Sequence, residues 1–146
     1  MILSSRRSLL AIAAVVDIAL HARPMPVAAK TLAARHNLPP RHLETVLQAL
    51  VRQGILKGVR GPRGGYELAR ERRRITAGDV VRAAMTATGE DNLPPLPESA
   101  LVEGVVEPVV RRANAAFLQE LDAVTIDDLC RAANASGTPG FTDFTI

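Results

Sequence analysis

The sequence predicts a mainly α-helical fold that carries one small two-stranded β element and a long helix towards its C-terminal end. Three observations predict it. The run Arg60-Gly61-Pro62-Arg63-Gly64-Gly65-Tyr66-Glu67-Leu68-Ala69 reads as a tight hairpin with cations at its tip. Gly64 and Gly65 are read there as the residues that take backbone angles closed to other side chains. Apolar residues at three- and four-residue steps mark a pair of helices directly upstream, joined by a short turn. The composition agrees: 47% of residues are apolar, only 3% are aromatic and Trp is absent, so the core is Ala, Val, Leu and Ile. Together these observations describe a winged helix-turn-helix with a small two-stranded wing, followed by a long C-terminal dimerisation helix.

Each element has its own local justification. Ser4 or Ser5 caps a first helix that runs to about Ala22, where Pro24 and Pro26 close it. Leu9, Ile12, Ala13, Val16 and Leu20 form its apolar face. The second helix covers about Ala29 to His36, with Leu32 and Ala33 turned inward, and Asn37 suits the left-handed position that ends a helix. The third helix begins at Pro39-Pro40, since proline is favoured in the first turn, where its missing N–H costs nothing. Leu43, Val46, Leu47, Leu50 and Val51 form one buried stripe on it, and Gly54 ends it.

The wing strands are Ile55–Val59 and Tyr66–Ala69, and Arg70 to Arg74 is a charged link. Thr76 with Asp79 resembles a capping box and opens a fourth helix to about Ala87. Thr88 to Glu98, rich in proline, reads as a loop. A long helix from about Ser99 to Ala123 follows, and Pro108 should kink it or split it in two. Thr125 with Asp128 repeats the capping pattern and starts a last helix to about Ala135. The tail from Ser136 to Ile146 has no periodicity, and Phe141, Phe144 and Ile146 are its candidates for docking. No internal repeat is found.

Charge separates the chain into halves. Residues 1–74 hold 14 Lys+Arg and 4 Asp+Glu, a balance of +10, and residues 75–146 hold 4 and 11, a balance of −7. A basic half is the footprint of a polyanion binder. The single cysteine, Cys130, excludes an internal disulfide and fits a reducing cytoplasm. Arg6-Arg7 and the apolar run after them resemble the start of a signal peptide, but Asp17 interrupts the run. It is read as a core helix, and no apolar stretch reaches the ~20 residues of a membrane span. His21, His36 and His42 lie in different contexts without metal-ligand spacing, His36 being read as a helix-end residue facing the C-terminal dipole. No catalytic constellation or phosphate loop is present, so no enzyme activity is expected.

The helix pair and hairpin together point to double-stranded DNA. The major groove admits one helix, whose N-terminal residues reach base edges first. That singles out Arg41, His42, Glu44 and Thr45, with Gln48 a turn further on. Arg41 can bond guanine or phosphate, and Glu44 can accept from the cytosine amino group. Such residues also solvate ordinary exposed helices. The basic tip that follows directly, with Arg60, Gly61, Arg63 and Gly64, selects the DNA reading.

The order of helix, helix-turn-helix and Arg-Gly-Pro-x-Gly-Gly-Tyr-x-Leu-Ala resembles the Rrf2 family of bacterial winged-helix transcription regulators. Leu43-Glu44, Leu50-Val51-Arg52-Gln53-Gly54-Ile55-Leu56 and Ile75-Thr76-Ala77-Gly78-Asp79-Val80-Val81 are also similar. The likeness covers residues 1–86 well and the rest in general plan. It implies a homodimer held by the long helix, each winged helix reading one half-site. It implies that Glu44 reads a base in the major groove and that Arg60 and Gly61 enter the minor groove. Sensor members carry three cysteines before the dimer helix, which hold an iron–sulfur cluster. Thr88 to Glu98 has none, and the tyrosine usual in the family's first helix is missing, Leu9 and Leu10 standing near its place.

The expectation is therefore a cytoplasmic, dimeric repressor that binds operator DNA without a cofactor or a metal. Its domains are a winged helix-turn-helix over 1–87, a loop over 88–98, dimerisation helices over 99–135 and a tail over 136–146. Leu101, Val105, Val109, Ala113, Phe117 and Leu121 form the dimer stripe. A small-molecule effector is expected, if anywhere, between the winged helix and the dimer helix, with Leu93 to Pro97 as a lid. The rival is a winged helix used as a protein-interaction module, which would need an apolar recognition face.

Overall fold

Local signals place most helix ends, and the computed structural model describes residues 6–87 and 99–137. α1 is Arg6–His21, α2 Ala29–Arg35 and α3 Pro40–Arg52. Asn37 takes a φ of 53° between α2 and α3, and Gly54 a φ of 76° after α3. β1, Leu56–Val59, pairs antiparallel with β2, Gly65–Leu68, in the register Leu56 to Leu68 and Val59 to Gly65. One 3-10 turn, Arg72–Arg74, lies within the charged link. α4, Ala77–Ala84, a π-helical segment, Val102–Val106, α5, Glu107–Asp122, and α6, Ile126–Ser136, complete the described chain. The expected caps at Ser4 or Ser5, the loop with its lid at Leu93 to Pro97, and the docking residues Phe141, Phe144 and Ile146 lie outside the described residues.

Both capping boxes form. Thr76 Oγ1 accepts from the Asp79 N–H at 3.0 Å while the Thr76 N–H donates to Asp79 Oδ2 at 3.1 Å. Thr125 and Asp128 do the same at 3.0 Å each way. The two helix starts are also tied to each other. The Ala77 N–H donates to the Val124 carbonyl and the Ile126 N–H to the Ile75 carbonyl, both at 2.8 Å. Gly78 lets this junction close, because a Cβ there would strike the Asp122 carboxylate. Arg82 then holds Asp122 with two hydrogen bonds of 2.7 Å.

One core runs through the described helices. Ala11, Val15 and Ile18 of α1 meet Leu32, Leu43, Leu47 and Leu50 of the helix pair, Val80 of α4, and Ile126 and Cys130 of α6. Cys130 is fully buried within this core. The sequence groups α6 with the dimerisation helices, yet its Ile126 and Cys130 are core residues of the winged-helix body.

The expected face of α1 needs correction. Its buried residues are Ser8, Ala11, Ala14, Val15, Asp17 and Ile18. Leu9 is 64% exposed, and Ile12, Ala13, Val16 and Leu20 are half-buried. α1 is apolar nearly all round, so periodicity alone does not choose a side. Asp17, which interrupts the apolar run, lies on the buried side.

At Pro108 the expected long helix divides into a π segment and α5, the split being one of the two outcomes expected. The Glu107 N–H reaches back five residues to the Val102 carbonyl, so a π turn lies directly before the proline in the first turn of α5. None of the 16 residues of α5 is buried. Leu101, Val105 and Val109 are more than half exposed, and Val106 and Val110 extend the apolar surface beyond the expected stripe.

Candidate nucleic-acid interface

α3 is held from behind and open in front. Leu43, Val46, Leu47, Ala49 and Leu50 are buried, which fixes how the helix is rotated. Arg41, His42, Glu44 and Gln48 are exposed and Thr45 is half-buried. Positions 41, 44, 45 and 48 fall at helical neighbour spacing, so they share one side of α3. No side chain caps its first turn. Pro39 and Pro40 bring no N–H to that turn, and the His42 N–H donates to the Pro39 carbonyl at 3.2 Å.

The wing tip is built by glycines in two different ways. Gly61, at a φ of 115°, is the residue in the left-handed region, and its carbonyl accepts from the Gly64 N–H at 2.9 Å across the turn. Gly64 and Gly65 do not adopt positive φ, contrary to expectation. They are needed for close approach instead. A Cβ on Gly64 would collide with the Val59 carbonyl oxygen, and one on Gly65 with the Val27 carbonyl oxygen. Val27 pairs with Tyr66 through backbone hydrogen bonds of 2.9 and 2.8 Å, adding a third short edge to the wing.

The cations are sorted by partner. Lys57 is 3.0 Å from Glu67, Arg72 2.8 Å from Asp127, and Arg131 2.7 Å from Asp128. Together with Arg82 and Asp122, these pairs satisfy cations away from the tip. Arg41, Arg60 and Arg63 have no carboxylate partner among the described residues. Their charge is left for an outside polyanion.

Two further arrangements escaped the sequence reading. Glu44 lies close enough to Tyr66 for its charge to be felt across the seam between α3 and the wing. Burial first, and then the Glu44 charge, push the Tyr66 phenol above its ordinary range. The second arrangement surrounds Asp17. Its fully buried carboxylate accepts from Arg35 Nε and Nη2, both at 2.9 Å, and lies 2.9 Å from His36 Nε2 and 3.1 Å from His21 Nδ1. His21 and His36, read as unrelated, share this one carboxylate. The cluster pins α2 to α1 and so sets where the helix pair sits. A lone aspartate inside an apolar helical run was the available signal, since a buried charge needs partners.

A model of the Rrf2 family, described as an iron-dependent transcriptional regulator, matches residues 4–132. The donor set here does not fit an iron–sulfur cluster. Such clusters take soft thiolates, as a rule about four. This chain has one cysteine, fully buried in the core. Among the described residues no three His, Cys, Asp or Glu side chains gather as metal ligands.

An HTH-type transcriptional regulator of Synechocystis sp. is 34% identical over 121 residues, 80% of this chain and 79% of its own length. The HTH-type transcriptional regulator CymR of Bacillus subtilis is 32% identical over 104 residues, 71% of this chain and 72% of its own. The structure of T. potens IscR superposes with a TM-score of 0.69 at 30% identity, covering 91% of this chain and 89% of that one. An open recognition helix, a cationic wing and a family match across most of the chain agree: this protein belongs to the Rrf2 family and is a DNA-binding transcription regulator of the winged helix-turn-helix type.

Proposed function

We propose that this chain is a cytoplasmic homodimeric repressor that acts by occupying its operator. Two copies of α3 enter successive major grooves while the two wings grip the flanks. Arg41, His42, Glu44, Thr45 and Gln48 face the bases and nearby phosphates. Arg60, Gly61, Arg63 and Gly64 enter the minor groove. The observation that carries this reading is the set of cations without partners at α3 and the wing tip. In this reading residues 1–87 bind DNA, and residues 99–135 supply the dimer contact through Leu101, Val105, Val109, Ala113, Phe117 and Leu121. A two-fold pair would cover this stripe and match a two-fold operator. No helix among the described residues is long and apolar enough to cross a membrane. The reading includes no cluster, so protein isolated without oxygen is expected to be colourless and free of stoichiometric iron.

The deciding experiment is a titration with genomic fragments across salt. Neutralising several phosphates lowers affinity by orders of magnitude between about 50 and 200 mM salt. Selection from random DNA then assigns the parts. Glu44→Ala should relax one base position, worth about 1–3 kcal/mol of discrimination, whereas Arg60→Ala should weaken binding to most sequences. A flat salt profile, or an unchanged selected motif in Glu44→Ala, overturns the assignment.

A further inference from the structure

A cleft of about 900 Å³ opens between the end of α1, the base of the wing and the charged link. That volume lies within the usual range for small-molecule sites. One wall is apolar, with Ala19, Leu20, Pro24 and Leu68. The rest carries charge, and most of it is already satisfied. Lys57 is paired with Glu67, Arg72 with Asp127 at 2.8 Å, and Arg73 with Glu71 at 3.4 Å. Arg23 and Arg70 also line the cleft, and neither has an acidic partner among the described residues.

No residue of the recognition helix α3 lines the cleft. Lys57 and Glu67, a register pair at the base of the wing, line it together with Leu68. A duplex held by α3 does not need this surface.

The geometry points to a binding site for a small amphipathic carboxylate, its head on Arg23 and Arg70 and its apolar body along α1 and Leu68. Guanidinium forks match the planar carboxylate through paired hydrogen bonds. The apolar wall asks for more than a bare anion, because a mineral ion would leave that wall uncovered. The site does not depend on the DNA-binding reading.

The test is calorimetric titration of the full chain with butyrate, octanoate and inorganic phosphate. One saturable site is expected for octanoate, with affinity rising from butyrate to octanoate and none measurable for phosphate. Arg23→Gln and Arg70→Gln should each weaken octanoate binding about tenfold. Both side chains are exposed, so folding is preserved, and circular dichroism checks it. Arg60→Ala, at the wing tip, should leave octanoate binding unchanged while DNA binding falls, which separates failure of one reading from failure of the other. No octanoate binding, equal binding by phosphate, or indifference to both arginine variants overturns the proposal. If octanoate fails to bind and Arg23→Gln with Arg70→Gln lowers DNA affinity and flattens its salt dependence, the cleft holds DNA phosphates instead, and the proposal is likewise overturned.

Discussion

The winged-helix body closes a core of its own, whereas the arm made by the π segment and α5 closes none. The 13 residues of α3 include five buried ones, and the 16 of α5 include none. The arm nevertheless carries Val105, Val106, Val109 and Val110 into solvent. Apolar residues in the body are there for the fold of one chain. Those on the arm make sense only against another surface, because a patch of exposed valines is otherwise a liability. A second apolar surface lies between α1 and α6, where Leu9, Ile12, Val16 and Leu129 line a smaller cleft.

The largest effect should come from the most buried charge of the body. Asp17→Ala leaves Arg35 facing a low-dielectric site without its carboxylate, and stability should fall by about 3–5 kcal/mol. Urea unfolding measures this, and a loss below about 1 kcal/mol would mean that the cluster does not pin α2 to α1. Next, Leu47→Ala in the body should cost about 2–5 kcal/mol. Val109→Ala on the arm should change chain stability by less than about 0.5 kcal/mol and instead weaken self-association in light scattering. Equal unfolding costs for the two variants would erase the contrast between body and arm.

At the junction the effects are smaller. Thr125→Ala removes the α6 cap and should cost about 0.5–2 kcal/mol. Hydrogen bonds from the Thr125 backbone and side chain, then Arg131, hold the Asp128 carboxyl below the usual carboxylate range. A depressed carboxyl contributes stability above its unfolded pKa and loses it as pH falls through the folded value. Without Thr125 Oγ1 that acid loss should begin at a higher pH. Acid unfolding curves that coincide for both proteins would refute the cap as its source. The smallest effect concerns Tyr66, the only tyrosine in a chain without tryptophan. Its phenol should titrate above its ordinary value by absorbance. Glu44→Gln should bring it part of the way back, because burial is the larger cause. Full return to the ordinary value would show that charge rather than burial dominates the seam.

What was legible in the sequence was local. Thr76 with Asp79, Thr125 with Asp128, Asn37 before α3, and the stripe from Leu43 to Leu50 each act within a few residues, so the sequence order displays them. The side of α1 was not legible, because Arg35 and His36 reach Asp17 from 18 and 19 residues away. The roles of Gly64 and Gly65 were hidden for a related reason: the atoms they must avoid belong to Val59 and Val27, brought near by the pairing of strands. Within the candidate interface the residue types were readable. The sorting of cations into paired and unpaired was not, since it depends on contacts such as Arg72 with Asp127 and Arg82 with Asp122, made between residues far apart in the chain.

If two chains pair through α5 as proposed, the tied helix starts at the root of the arm make the pair a calliper. With α4 and α6 stitched together and Asp122 locked to Arg82, the C-terminal end of α5 is clamped to the body, which leaves no hinge at that end through which a jaw could swing. Two such jaws would measure one distance, that between successive major grooves, about 34–36 Å. Inserting or deleting one base pair between half-sites moves the second site by about 3.4 Å and turns it by roughly a tenth of a helical turn. A calliper without a hinge cannot follow. Either change should then cost as much as a mismatched base pair, about 1–3 kcal/mol. Equal affinity for all three spacings in a direct binding titration would show that the jaws flex after all.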